Sequence, residues 1–217
     1  MRNISKLVRL SLSNLLCLKK HVLFITACFS VASIFNPSFS IMLIGMLTYI
    51  TGYQTIAYED SYGIDYLISY LPVTKNEYVI SRYVFNILMI ILSCLIFSLI
   101  YFISIKLNIE GYRIIDYKTN LYIGIINAVI LVSIFTPVTL KLGVKKARFA
   151  MTAIFMIVVM IPSIGIMSME ESETIRDIVY KISQLDVNFI FIGFIASMIL
   201  ISYVISREMY IKKEIKN

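Results

Sequence analysis

Six stretches of this chain carry no Asp, Glu, Lys, Arg or His: residues 22–35, 38–57, 83–105, 121–140, 151–168 and 187–205. A run of about 20 apolar residues matches a hydrocarbon core ~30 Å thick. Backbone immersed in lipid must satisfy its own hydrogen bonds, so such runs are expected as helices. With 59% of 217 residues hydrophobic, 15% charged and a mean hydropathy of +0.85, a water-soluble domain is excluded. The expected fold class is therefore an all-α membrane protein, a single transmembrane domain over 1–217 with six transmembrane helices. The first run has 14 residues, about 21 Å of helix. It either extends past Lys19 and Lys20, whose ammonium groups snorkel, or forms one arm of a re-entrant hairpin turned at Asn36-Pro37.

Basic residues set the orientation. Segments 1–21, 58–82, 141–150 and 206–217 hold 15 Lys and Arg, and the alternate loops hold five. Both termini are expected in the cytoplasm. The net charge of +7 is thus a topology signal and not a nucleic-acid footprint. Arg2, Lys6 and Arg9 precede an apolar run, but Lys19-Lys20-His21 stands where signal cleavage would need small neutral residues. Ile4, Leu7, Val8, Ser11 and Leu15 share one helical face, as in a helix lying in the inner headgroup layer. Cys17, Cys28 and Cys94 read as small apolar residues, and His21 as a boundary residue.

Intramembrane enzymes need a metal site or a nucleophile with its base, and one histidine without an H-E-x-x-H cannot supply one. Glu170-Glu171 with Arg176 is similar to the Glu-Glu-x-x-x-Arg of prenyl-protein-type membrane proteases. The arginine falls one position late, however, and the family's histidines are missing. An ion-coupled carrier would place ionisable groups at membrane depth. Here the apolar runs offer only Asn127, Gln54 near an end, and hydroxyls. Asn127 suits an interhelical hydrogen bond, with a place on a translocation path as the alternative. A third class, a membrane subunit driven by a separate ATPase, turns on the cytoplasmic segments.

The segment 58–82 places Ile64, Leu67, Ile68 and Leu71 at i, i+3, i+4 and i+7, flanked by Glu59, Asp60 and Asp65 and stopped by Pro72. Such a short amphipathic helix either docks in a partner's groove or rests on the lipid interface. Glu59, Gly63, Leu71, Pro72, Val73, Thr74, Lys75, Glu77, Val79 and Arg82 together resemble the first cytoplasmic loop of type-2 ABC exporter permeases. Pro137, Lys141, Gly143, Lys146, Ala147 and Arg148 are similar to the second inner loop of that family. The likeness spans about 20–205 in layout, with specific motifs at some 40 positions.

The resemblance implies a permease that works with a second permease, identical or homologous, and with ABC ATP-binding subunits. In that family the first inner loop is a coupling helix seated on the ATPase. Here Glu59, Asp60, Gly63, Ile64, Leu67, Ile68, Leu71, Pro72 and Lys75 would form it. The chain itself has no G-x-x-x-x-G-K-[ST] and only 8 glycines. No cofactor is expected on it; ATP and Mg belong to the partner.

In 169–186, Ile175, Ile178, Val179, Ile182 and Leu185 mark a second amphipathic helix, on the outer side. Tyr49, Tyr53, Phe85, Tyr101 and Tyr122 either line an export path or form interfacial belts. Tyr49, Tyr53 and Asn127 are the candidate path residues. Small six-span members of this family in Gram-positive bacteria export amphipathic peptides such as phenol-soluble modulins, which implies an amphipathic cargo and a bacterial plasma membrane. The competing reading is a six-span accessory or immunity-type protein without an ATPase.

Overall fold

The computed structural model describes residues 2–35, 37–63, 72–109, 117–171 and 187–212, and the side chains of these except 2, 37, 38, 41, 159–171 and 187–190. The described residues form helices joined by turns: α1 (Arg2–Cys17), α2 (Lys19–Phe35), α3 (Pro37–Ser61), α4 (Lys75–Lys106), α5 (Tyr117–Glu171) and α6 (Val187–Ile211). Each of the six uncharged runs falls on a helix, with 121–140 and 151–168 sharing α5.

Three helical stretches, Lys75–Lys106, Tyr117–Val158 and Phe191–Ile211, are long and apolar enough to cross a membrane. The pair α1 and α2, bent by 75°, gives a fourth if it is one span. The bend lies at Leu18, and α2 begins at Lys19, so the helix that carries the first apolar run also takes in both lysines. The amphipathic face expected on the N-terminal helix is the one α1 buries, with Leu7, Val8 and Ser11 turned inward. It packs on α4 and α3.

The greatest difference from expectation lies at 141–150. Instead of a connecting loop, the chain is helical on both sides of one residue, Gly143, at φ 71° and ψ 162°. That left-handed backbone is open to glycine at little cost, while the straight-chain Lys and Arg around it favour helix. Gly143 turns the chain back on itself. Phe135 before it and Phe155 after it both reach the Tyr49 ring on α3, with centroids 6.1 and 4.4 Å away. α5 is therefore a hairpin whose two arms run along α3.

α3 is the centre of the bundle. Residues 42–49 are all buried, an unbroken run that leaves no side of the helix outward. Thr48, Thr51 and Thr55 bond back to carbonyls of their own helix, each at 2.8 Å, so the hydroxyl protons are satisfied within α3. Glycines bring α5 close: a Cβ on Gly45 would lie 3.2 Å from Asn127 Cγ, and one on Gly52 would lie 2.8 Å from Phe135 Cζ. By contrast, α4 turns Ile87, Leu88, Ile91, Leu92, Leu95, Leu99 and Phe102 outward, the composition of a lipid-facing stripe.

Gly52→Val should lower stability by about 1–3 kcal/mol, because the Phe135 ring is walled in and cannot yield. Gly193→Val, where nothing lies within 4 Å, should change little. Residual monodisperse protein after heating in detergent measures both.

Candidate functional site

The site is built where α3 ends and α4 begins. α3 stops at a glycine suited to the left-handed cap, Gly63 at φ 63°, whose N–H donates to Asp60 O at 3.4 Å. α4 starts from a capping box. The Thr74 hydroxyl accepts the Glu77 N–H at 3.2 Å, and the Glu77 carboxylate accepts the Thr74 N–H at 3.0 Å. Asn3 Nδ2 of α1 donates to Glu77 at 3.4 Å.

One turn further, Arg82 is buried and its Nη2 meets Glu59 Oε2 in an ion pair. The network is wider than the pair. Arg82 Nη2 also donates to Tyr78 OH at 2.6 Å, and the guanidinium lies 4.7 Å from the Tyr78 ring centroid. Arg82 Nη1 donates to Ser11 Oγ at 3.2 Å, while Ser11 Oγ and Asn14 Nδ2 donate to Glu59 Oε1 at 3.3 and 3.0 Å. Burying a charge is tolerated only where a counter-charge and hydrogen bonds replace its water. Ser11 and Asn14 supply that replacement from α1, three residues apart on its inward face.

The two loops singled out in the sequence meet here. Asp60 Oδ1 lies 3.8 Å from where a Cβ on Gly143 would stand. Ile56, Glu59, Asp60, Tyr78, Thr139, Leu140, Gly143 and Val144 enclose a cavity of about 20 Å³, room for one water molecule. α6 is tied to the same end: Tyr83 OH lies 2.6 and 2.7 Å from Ser202 and Ser206 Oγ, and Tyr203 OH donates to Asn76 Oδ1 at 2.7 Å. Lys75 Nζ donates to Ile211 O at 3.1 Å, and Tyr78 packs on Tyr210 with centroids 5.1 Å apart.

Of the residues predicted for coupling, the structure gathers Glu59, Asp60, Gly63, Pro72 and Lys75 at this end, with Lys141 and Gly143. Lys146 and Arg148 are exposed on the second arm of α5, just beyond the turn. Ile64, Leu67, Ile68 and Leu71 lie outside the described residues, as does the amphipathic segment proposed within 169–186 apart from its first helical residues. The candidate path residues sit elsewhere and are packed. Tyr49 stacks on Phe155 at 4.4 Å and on Tyr53 at 5.6 Å. Asn127 is 2% exposed against Gly45, and among the described residues neither its Oδ1 nor its Nδ2 has a partner.

Sequence reading missed Ser11, Asn14 and Tyr78, and gave Arg82 no acidic partner. The signals were present: two polar residues on an otherwise apolar α1 face, and opposite charges at the facing ends of the second and third uncharged runs.

Removing one member of the pair should cost more than removing both. Arg82→Met leaves Glu59 buried without a counter-charge, worth about 3–5 kcal/mol. Adding Glu59→Leu to it should recover most of that loss in a double-mutant cycle of thermal stability in detergent.

The family model described as ABC-2 family transporter protein matches residues 9–211. Comparison with curated proteins and with solved structures gave no match. The matched stretch takes in both loops and runs from α1 to the end of α6, so the chain belongs to the ABC-2 family of transporter proteins.

Proposed function

We propose that this chain is the permease subunit of an ATP-driven exporter. It crosses the plasma membrane six times with both termini inside, pairs with a second permease, and is powered by a separate ABC ATPase that holds ATP and Mg. The cargo is an amphipathic molecule, with peptides the leading class. The observation that carries the coupling reading is the convergence of both inner loops on the Glu59–Arg82 pair.

The mechanism follows from that placement. Residues 64–71 join Gly63 to Pro72, and the chain on either side of them is held by the buried pair between α3 and α4. A push on 64–71 from a closing ATPase therefore reaches α3 and α4 together and not one of them alone. α3 packs against α1, α2, α4 and α5, so its tilt is shared by both arms of α5. Gly143 lets the arms change their mutual angle there, because a residue already at positive φ without a Cβ meets little steric resistance. Opening along the α3–α5 contact would uncover Tyr49, Tyr53 and the Asn127 amide. Those groups offer an aromatic and hydrogen-bonding surface suited to an amphipathic cargo.

Affinity purification of the tagged chain in mild detergent tests the reading. An ATP-binding subunit should accompany it, hydrolysing ATP faster in the complex than alone. Ile64→Glu with Leu67→Glu should abolish recovery of that subunit while membrane insertion stays normal. A stable preparation without any ATPase would overturn the reading in favour of an accessory membrane protein.

A further inference from the structure

We propose that the cleft between the end of α6 and the turn of α5 binds the headgroup of an anionic phospholipid. Lys141, Ile205, Glu208, Met209 and Lys212 line this cleft of about 420 Å³. The order of side chains along α6 carries the inference. Ile201, Ile205, Met209 and Lys212 succeed one another at intervals of four, four and three residues and so share one helical face. Ile201 and Ile205 are 59% and 42% exposed. The face is thus apolar along the span and becomes cationic at its end, where Lys141 arrives from α5. Leu142 beside it is 45% exposed. A phospholipid has the same order: an acyl chain lies along the isoleucines and a phosphate reaches the two ammonium groups.

The wall is held in place before any ligand arrives. Tyr83 with Ser202 and Ser206, Tyr203 with Asn76, and Lys75 with the Ile211 carbonyl fix the last turns of α6 on α4. Lys75 also offsets the negative end of the α6 dipole, which would otherwise oppose an anion. Among the described residues Glu208 makes no ion pair with Lys141 or Lys212, so neither ammonium group is engaged by it. Glu208 weakens the site without cancelling it, since two cations face one anion. This site does not depend on the coupling reading; it requires only that the chain sit in a bilayer.

Native mass spectrometry of the full chain, released from micelles containing phosphatidylglycerol or phosphatidylcholine, tests the proposal. Phosphatidylglycerol should be retained and phosphatidylcholine lost. A Lys near an anionic membrane surface is worth ~1 kcal/mol, or about fivefold. Lys141→Gln and Lys212→Gln should each reduce retention by about that factor, and Glu208→Gln should increase it. Lys118→Gln, a lysine at the other end of the first arm of α5, should have no effect. Equal retention of the two lipids would overturn the proposal. So would undiminished phosphatidylglycerol in the double lysine variant, whether or not that variant loses a protein partner. Displacement by glycerol 3-phosphate as effective as that by the lipid would also overturn it, since the cleft would then be a soluble-anion site.

Discussion

The ion pair between Glu59 and Arg82 is the contact on which the lower half of the bundle depends, because neither charge has anywhere else to go. Both side chains are almost fully buried, 4% and 3% exposed, just past the ends of two apolar runs. Two charges taken from water recover their hydration cost only when the geometry is good and the remaining lone pairs and protons are used. The use is nearly complete here: Ser11, Asn14 and Tyr78 take up the other oxygens and N–H groups, leaving Arg82 Nε without a partner among the described residues. The pair therefore requires α1 to be in place, and α1 has a reason to dock that apolar burial of Leu7 and Val8 alone would not give. An apolar contact tolerates sliding by a residue. A fork of hydrogen bonds from one guanidinium to Ser11, Tyr78 and Glu59 does not, so the pair sets the register among three helices.

Above that level the packing changes character. α3 is enclosed by its neighbours, and its closest approach to α5 is set by Gly45 and Gly52, where the partner side chains occupy the space a Cβ would fill. Apolar packing gains nothing from excluding water where lipid is the alternative, so close backbone approach and dispersion must supply the association. Asn86 Nδ2 donating to Thr136 Oγ1 at 3.1 Å and Thr48 Oγ1 to Ser93 Oγ at 3.3 Å add neutral cross-links at mid-height. At the far end Phe97, Tyr101, Phe102 and Tyr117 cluster through their rings, with Ser98 and Tyr117 hydroxyls 2.8 Å apart.

What the sequence disclosed divides along physical lines. Helical class and the placement of each apolar run were legible because the absence of charge over about 20 residues has one structural solution in lipid. The inward face of α1 was legible from its period, but its partner was not: Ser11 fitted a headgroup-facing helix as well as a donor to Glu59, and periodicity names a face without naming what covers it. The break at Gly143 was partly legible. The glycine stood out in a basic segment, yet the helix on both sides of it did not, since Lys and Arg between two spans read equally as a loop. Glu59 and Arg82 lie 23 positions apart, and their pairing depends on how α3 and α4 cross, which no local pattern encodes.

The arrangement gives the molecule a mechanical gradient. Charge-assisted bonds are short, directional and costly to break, and the ion pair among the described residues lies at the end where α3 stops and α4 starts. Neutral bonds and ring packing prevail farther along the bundle, where helices can shift against each other while exchanging one dispersion contact for another. The α3–α5 contact holds the closest backbone approaches, at Gly45 and Gly52, and also the buried Asn127 amide that lacks a partner among the described residues. Tight packing and an unpaired amide thus share one seam, while the Glu59–Arg82 pair fixes the adjoining ends of α3 and α4.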